Sequence, residues 1–334
     1  SLVIKVFSLI ALIIFVKHKS DYVIYALISS CGTACNYILN LFNARKYISF
    51  NCDFKNINLK KHIKPLLVLA ITAFLGNMYN KIDVTMLGLM SSNAIVGYYS
   101  NAHKIILIVV SCCIAVTTVF MPRLSFYYEN DKKALDNLIN WGTKLLFFVV
   151  IPLSVVIMLI ATDTIVVLYG YAFRPAGKTL ALFAPMLLIR PIGDLLCYQL
   201  LVSAGQEQKR IYTSFIATII NVILNYFLIP IWQQNGAAIA SVVAEIVMNG
   251  MLFKAALRIT KIRVEKDFIL KTLLATCLMA VTIMFIKLIF NNEIIILLGS
   301  VLIGGVMYLI SGIVLKNQIL LQIYDKTKKI IKKY

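Results

Sequence analysis

Four polar or ionisable side chains lie close together in a stretch that is otherwise apolar enough to cross a membrane. They are Asn77, Asn80, Lys81 and Asp83. An ionisable group at membrane depth costs at least about 2.5 kcal/mol, so its presence there needs a physical reason. Lys81 and Asp83 are two residues apart, so on a helix they point to different faces and cannot neutralise each other. Each needs a partner on another helix or a water-filled cavity, which indicates a transport path.

A second group of ionisable residues lies near the middle of a later apolar stretch, 180–204. Arg190 and Asp194 are four residues apart, so on a regular helix they share a face. Pro185 and Pro191 should loosen that helix and leave carbonyl groups that only a cavity or neighbouring helices can satisfy. Broken helices with charges at mid-membrane are typical of transporter binding sites. A self-neutralised structural pair is the alternative interpretation.

Glu245 lies centrally in a third apolar stretch. It could bind a proton or an ion, or it could be the counter-ion of Lys81 or Arg190. Asn221 and Asn225 share a face of the preceding stretch and are expected to form interhelical hydrogen bonds, which membrane bundles commonly use. The sequence therefore supplies candidate groups for substrate binding, for ion coupling and for charge pairing.

Motifs for catalysis and for metal binding are missing from the sequence. It contains no GxSxG, no HExxH and no phosphate-binding glycine loop, and its seven cysteines form no CxxC pair. His103, beside Lys104 near a span end, is expected at the membrane interface rather than as a titrating switch. We expect no catalytic residue, no metal site and no cofactor, so the chain is predicted not to be an enzyme.

The composition is that of an integral membrane protein. Hydrophobic residues make up 60% of the chain and charged residues 14%, and the mean hydropathy is +0.87. Soluble proteins are nearer half apolar and about a quarter charged. The net charge of +19 could suggest nucleic acid, but the basic residues lie at the ends of apolar stretches. Orientation in the membrane explains them better, so no nucleic-acid partner is expected.

A membrane helix needs about 20 largely apolar residues. By that rule the sequence predicts about ten spans, at 1–16, 22–43, 65–90, 94–121, 145–161, 180–204, 211–231, 237–257, 268–290 and 294–315. Basic residues cluster in alternate connections, at 44–64, 123–144, 209–210, 254–271 and 316–333, whereas the other connections carry only Lys17, Lys19, Arg174 and Lys178. The positive-inside rule places the basic connections and the C-terminus in the cytoplasm. Lys5, Lys104 and Lys287 are near span ends and can snorkel to the headgroups, whereas Lys81 and Arg190 cannot do so easily.

The segment 44–64 is the best candidate for a domain boundary. Its apolar residues have rough helical spacing among lysines, as in an amphipathic segment that lies on the anionic inner leaflet and joins two bundles. A plain basic loop is an equally good interpretation.

Several short motifs follow one another in a recognisable order. They are Asp83-Val-Thr-Met-Leu-Gly, Val96-Gly-Tyr-Tyr, Ala102-His-Lys-Ile, Met121-Pro-Arg-Leu-Ser, Gln199-Leu-Leu-Val-Ser-Ala-Gly-Gln, Leu228-Ile-Pro and Asn235-Gly-Ala-Ala-Ile-Ala. With them, essentially the whole chain resembles the polysaccharide-biosynthesis flippases of the multidrug/oligosaccharidyl-lipid/polysaccharide exporter superfamily.

The resemblance implies an all-α, MATE-like architecture of two lobes around a central cavity, with twelve or fourteen spans in the whole protein. Residues 1–43 would be the last two helices of the N-terminal lobe, and 44–64 the cytoplasmic segment between the lobes. Residues 65–257 would form the C-terminal six-helix lobe, and 258–334 two additional helices and a basic cytoplasmic tail. On this correspondence four N-terminal spans would be missing, so the chain is expected to be N-terminally truncated.

The resemblance also implies a function. The family moves polyprenyl-diphosphate-linked oligosaccharides across the bacterial inner membrane by alternating access, for O-antigen, capsule or exopolysaccharide synthesis. Lys81 and Arg190, with Asn77 and Asn80, would then bind the substrate, because a diphosphate favours cations and Arg can donate two parallel hydrogen bonds to it. The residues assigned to coupling or charge pairing would be Asp83, Asp194 and Glu245. Membrane lipids, and other polysaccharide-assembly membrane proteins, are the further partners considered.

Two other functions stay open at this point. One is an ion-coupled small-molecule exporter on the same scaffold. The other is a membrane-embedded glycan polymerase or ligase, against which the short outer connections argue.

Overall fold

A computed structural model describes residues 2–18, 21–45, 63, 81–206 and 208–322. These residues form helices joined by short turns, and no strand occurs among them. The chain divides into two compact units, Ser1–Val68 and Leu69–Tyr334. The predicted all-α membrane bundle is thereby confirmed at the level of secondary structure. The segment 46–62, which includes most of the predicted inter-lobe segment, lies outside the described residues.

The first unit is a pair of apolar helices, α1 (Leu2–Phe15) and α2 (Tyr22–Ala44), which contact each other. The carboxylate of Asp21 accepts hydrogen bonds from the backbone N–H groups of Lys17 and His18, at 3.0 and 2.8 Å, and so fixes the turn between them. α2 buries none of its side chains, although most of them are apolar. A helix that is apolar all round and exposed is typical of a membrane span.

The second unit contains the remaining helices. They are α3 (described at 81–90), α4 (Asn93–Thr118), α5 (Met121–Asn130), α6 (Lys132–Tyr169), α7 (Ala176–Phe183), α8 (Met186–Gly193), α9 (Leu200–Ser203), α10 (Gln208–Ala256), α11 (Lys266–Ile289) and α12 (Glu293–Val314). A 3₁₀ turn, Tyr171–Phe173, precedes α7, and a π-helical turn, Asp194–Gln199, joins α8 to α9.

Within the described residues, seven helical segments are long and apolar enough to cross a membrane. The predicted number of about ten is therefore only approximate. Part of the difference comes from α10, whose 49 residues carry two predicted spans, 211–231 and 237–257. The helix bends between them at Gln233, where φ is 49° and ψ is −128°. In addition, α1 is short, and most of the predicted span 65–90 lies outside the described residues.

The connection predicted at 123–144 is instead largely helical. Asp131 begins α6 as its N-cap, because its side chain accepts hydrogen bonds from the backbone N–H groups of Lys133 and Ala134 at 2.9 and 3.0 Å. Leu135 and Ile139 then bury one face of the new helix. The charged residues of this segment occupy the exposed face of an amphipathic helix, which a search for uniformly apolar spans does not detect.

The last two helices pack on α6 where its backbone is broken. Pro152 has no N–H, so the carbonyl of Phe148 lacks its helical donor, and the hydroxyl of Tyr308 donates to that carbonyl at 2.6 Å. A second irregularity lies at Ile160. There Lys287 Nζ donates to the carbonyl of Leu159 and to Asp163, both at 2.8 Å.

The expectation that Lys287 snorkels to the headgroups was therefore wrong. Asp163 lies on α6 and is buried, and its carboxylate forms an ion pair with Lys287. The distance in sequence between the two residues hid this pairing.

Candidate functional site

Asp83 on α3 is the centre of a buried polar cluster. Its side chain is hydrogen-bonded from two helices, although only 5% of the residue is exposed. Oδ2 accepts from the hydroxyls of Tyr99 and Ser241, at 2.8 and 2.7 Å. Oδ1 accepts from the amides of Asn221 and Asn225, at 2.9 and 2.6 Å. All four donors are neutral, and no described cation forms an ion pair with this carboxylate.

The bend of α10 brings the cluster together. Asn221 and Asn225 are one turn apart before the bend, and Ser241 follows it, so both halves of the helix face Asp83. Asn225 Oδ1 is buried and accepts no hydrogen bond from a described residue. Four hydrogen-bond donors, two hydroxyls and two amide N–H groups, thus hold one buried carboxylate between three helical segments.

Arg190 on α8 forms an ion pair with Glu245 on the second half of α10. Nε donates to Glu245 Oε1 at 2.7 Å, and Nη2 lies 2.5 Å from the same oxygen. Asn249 donates to the other carboxylate oxygen at 3.1 Å. The side chain of Glu245 is 1% exposed and that of Arg190 is 19% exposed. Glu245 is therefore the counter-ion of Arg190.

Asp194 is not the ion-pair partner of Arg190, contrary to the geometry expected of a regular helix. Its carboxylate accepts hydrogen bonds from Thr117 at 2.8 Å and from Gln199 at 2.7 Å. The backbone between the two residues is helical, because the N–H of Asp194 donates to the carbonyl of Arg190, so the helix itself does not separate them. The two side chains are kept apart by their partners: Glu245 binds Arg190, whereas Thr117 and Gln199 bind Asp194.

A cavity of about 250 Å³ opens beside this ion pair. Its polar lining consists of Arg190, Asp194, Tyr198, Arg210, Ser214, Glu245 and Asn249. Gly193 allows α8 to approach α10 closely, because the side chain of Asn249 occupies the place that a Cβ would take. The cavity thus lies where the broken helix meets the bent one.

Arg210 is a second cation in this lining that the sequence did not single out. Its guanidinium lies 4.0 Å from the centroid of the Tyr198 ring, a distance at which the cation and the ring attract each other. In the sequence, Arg210 is one of two basic residues at the end of a span and looks like any other residue that sets orientation. Only the fold brings it to the same cavity as Arg190.

The polar cluster and the ion pair adjoin each other. A small chamber of about 10 Å³ is lined by residues of both, including Asp83, Arg190, Glu245 and His103. Such a volume is at the limit of what holds one water molecule. His103 packs on Tyr99 and Phe183, with ring centroids 5.5 and 5.2 Å away.

His103 therefore lies inside the bundle, and the expectation of an interfacial position was wrong. α4 begins at Asn93, so His103 is about 15 Å along the helix from its start.

A family model described as "Lipid II flippase MurJ" matches residues 2–323 of the chain. The chain belongs to the MurJ family. A solved structure of the lipid II flippase MurJ in an inward closed conformation has the same fold, with a TM-score of 0.76 at 20% sequence identity. The match covers 94% of this chain and 66% of that one.

Two curated relatives come from Haloferax volcanii. The probable flippase AglR is 28% identical over 174 residues, and the probable low-salt glycan biosynthesis flippase Agl15 is 23% identical over 167 residues. Each alignment covers 50% of this chain and 35% of the relative, so the chain matches about a third of the relatives' length.

Membership of the MurJ family confirms the predicted fold class and the prediction of a multi-span membrane protein from a flippase family. Flippases are transporters that catalyse no chemical reaction, so the prediction that the chain is not an enzyme is confirmed as well. Among the residues that the structure describes, no group of three or more His, Cys, Asp or Glu side chains could hold a metal ion.

The remaining predicted site residues stay as predictions within this MurJ-family chain. Lys81 is exposed on α3, while Asp83, two residues on, is buried, and no ion pair joins Lys81 to another described residue. Asn77 and Asn80 lie outside the described residues. The structure thus brings together Asp83, Arg190 and Glu245, and Asp194 lines the larger cavity together with Arg190 and Glu245.

Proposed function

We propose that the chain is part of a flippase that moves a polyprenyl-diphosphate-linked glycan across the bacterial inner membrane by alternating access. The observation that carries the proposal is the cavity lined by Arg190 and Arg210 in a chain of the MurJ family. Guanidinium groups suit the diphosphate of such a lipid because each can donate two parallel hydrogen bonds to phosphate oxygens. This diphosphate is common to several candidate substrates. They are lipid II and the lipid-linked precursors of O-antigen, capsule and exopolysaccharide.

The resting charge of the lining suggests how binding is controlled. Arg190 and Arg210 face two carboxylates, Asp194 and Glu245, so the formal charges of the lining cancel. A diphosphate must therefore compete with Glu245 for the guanidinium of Arg190, which the carboxylate holds at 2.5 to 2.7 Å. Glu245 would keep Arg190 in place without substrate and release it when the anion enters.

Asp83 is proposed as the coupling group. It connects α3, α4 and both halves of α10 through four hydrogen bonds. Uptake of a proton or a small cation would change which of these bonds can form, and thereby the preferred bend of α10. The shared chamber gives such a change a direct route to Arg190 and Glu245.

The orientation and the other contacts complete the proposal. The basic connections and the C-terminus would face the cytoplasm, as the positive-inside rule requires. Lys81, Asn77 and Asn80 would add polar contacts to the substrate, and Asp194 would orient the π-helical turn through Thr117. The small-molecule exporter and the glycan polymerase gain no support, because the family and both curated relatives are described as flippases.

Complementation of a strain that lacks its own glycan flippase tests this proposal, with the full-length protein and with membrane abundance measured by immunoblot. Arg190→Lys and Arg210→Lys keep the charge and lose the planar fork, so each should lose most of the transport. Arg258→Lys is the matched control, because Arg258 is exposed and does not line the cavity. Full complementation by the Arg190→Lys and Arg210→Lys proteins at normal abundance would exclude a diphosphate clamp.

A further inference from the structure

A second polar cavity, of about 550 Å³, lies at the bend of α10, away from the arginine-lined cavity. Its polar and aromatic lining consists of Lys178, Trp232, Gln233, Gln234 and Asn235. Its volume is within the range of about 300–1,000 Å³ that is usual for small-molecule sites. No described lining residue is an Asp or a Glu.

The bend is tied to a neighbouring helix, so the cavity has defined walls. The hydroxyl of Thr179 on α7 donates to Asn235 Oδ1 at 2.9 Å. Gly236 packs against the backbone of Leu228, where a Cβ would not fit, so the two halves of α10 approach closely across the bend. The bend thereby presents three consecutive amide residues, 233–235, to the lining of the cavity.

Gln234 is the residue that indicates a ligand. It is 8% exposed, and its Oε1 is fully buried without a donor among the described residues. A buried amide oxygen that accepts no hydrogen bond is costly, and natural proteins rarely keep one without a reason. The missing partner must be able to donate a hydrogen bond within a cavity that also presents further amides.

We propose that this cavity is a carbohydrate subsite that holds the glycan of the transported lipid on the outer side of the membrane. Sugar hydroxyls both donate and accept, which matches the paired donor and acceptor of each Gln and Asn amide. The indole of Trp232 offers an apolar face for the C–H face of a sugar ring, together with one N–H donor. Lys178 and the absence of a described carboxylate favour neutral or acidic sugars over cationic molecules.

The inference rests on the proposed function for its ligand and for its position. Lys178 and the bend belong to the connections with few basic residues, which the proposed orientation places outside. The arginine-lined cavity would then bind the diphosphate and this subsite the glycan, so the two parts of the substrate would be recognised by separate sites.

Binding measurements on the full-length protein in nanodiscs can separate the two sites. The first ligand is the glycan released by mild acid from the host's own lipid-linked precursor and labelled at its reducing end. The second is polyprenyl diphosphate without a glycan. The variants are Trp232→Leu and Gln234→Leu, with Arg190→Lys as the matched variant of the other site. Thermal unfolding of each protein verifies its folding.

Wild-type protein should bind the released glycan, and the Trp232 and Gln234 variants should weaken that binding about tenfold or more. Their affinity for polyprenyl diphosphate should stay within about twofold, whereas Arg190→Lys should show the reverse pattern. Gln234→Leu is the sharpest variant: it removes a buried amide oxygen that accepts no hydrogen bond, so thermal stability should hold or rise while glycan binding falls.

Several results would overturn the subsite. The first is that wild-type protein does not bind the released glycan. The second is that the Trp232 and Gln234 variants bind the glycan as well as wild type does. The third is that these variants fold normally but lose affinity for both ligands equally. Glycan binding that persists while polyprenyl diphosphate does not bind would refute the arginine site and leave the carbohydrate subsite standing. An interfacial anchoring role of Trp232 alone predicts unchanged glycan affinity.

Discussion

Replacing Arg190 by Leu should destabilise the protein strongly, because it leaves the charge of Glu245 without its cation. Glu245 is 1% exposed and Arg190 is 19% exposed, so the carboxylate is the group that cannot regain water. Breaking a buried ion pair from one side costs about 3–5 kcal/mol in proteins. Asn249 still donates to Glu245, which places the expected loss near the lower end of that range.

The same geometry predicts an asymmetry between the two partners. Glu245→Leu leaves Arg190 beside a cavity that can hydrate it, so this change should cost less than Arg190→Leu. The double variant Arg190→Leu with Glu245→Leu removes both charges and should recover most of the loss, since apolar replacement of a buried pair is often close to neutral. The coupling energy of the cycle should then be at least about 2 kcal/mol.

Denaturant-induced unfolding in detergent micelles, followed by tryptophan fluorescence, measures all four proteins under one condition. The exposed Arg258→Leu is the control and should stay within about 0.5 kcal/mol of wild type. The reasoning fails if Arg190→Leu is as stable as the control, or if the double variant loses the sum of the two single changes.

Three further predictions concern other contacts. Asp83→Asn replaces a carboxylate oxygen by an amide N–H group, which would face donors that now bind the carboxylate. Transport should fall, and the free energy of unfolding should drop by about 1–3 kcal/mol. Normal export by this variant would make Asp83 purely structural. Lys287→Met should lower the thermal midpoint by leaving Asp163 without its cation, and adding Asp163→Asn should restore most of it; an unchanged midpoint in the single variant would contradict the ion pair. A hydrogen bond from Lys144 lowers the pKa of Glu265, so its stabilising effect should be present above about pH 4.3 and be lost as the pH falls further; Glu265→Gln should remove this part of the acid sensitivity, which pH-dependent unfolding curves measure.

The helical architecture could be predicted from the sequence because the membrane allows few alternatives. Long apolar stretches must be helical where no water can satisfy the backbone. The bounds failed where this rule does not apply: α6 begins as an amphipathic helix at Lys132. The predicted break at 232–236 coincides with the bend of α10 at Gln233.

The site was predicted in part because charges in apolar stretches stand out from their surroundings. Asp83, Arg190 and Glu245 were recognised in this way, as were the two asparagines of α10. The pairing of Glu245 with Arg190 was one of several alternatives that the sequence left open. The partners of Asp194 were not predicted, because Thr117 and Gln199 reach it only in the packed bundle. Sequence spacing describes regular helices, whereas these contacts arise where the helices are irregular.

Arg210 and Tyr198 show a different limit. Each is an ordinary residue near a span end, and neither has a distinctive spacing to the other charged groups. Their contact at 4.0 Å, and their place in the lining beside Arg190, follow only from the packing of α10 on the π-helical turn.

The central claim is that the two arginines of the cavity hold the diphosphate during transport. Its most direct test is leaflet translocation in proteoliposomes that contain the full-length protein and a fluorescent polyprenyl-diphosphate glycan, with the outer leaflet quenched by an added reductant. Wild type and Arg258→Lys should translocate the lipid at equal rates, while Arg190→Lys and Arg210→Lys should be slowed about tenfold or more at equal reconstitution, since losing a bidentate contact to phosphate is worth roughly 1–3 kcal/mol. Equal rates in all four proteins would contradict the claim and move the diphosphate site out of this cavity.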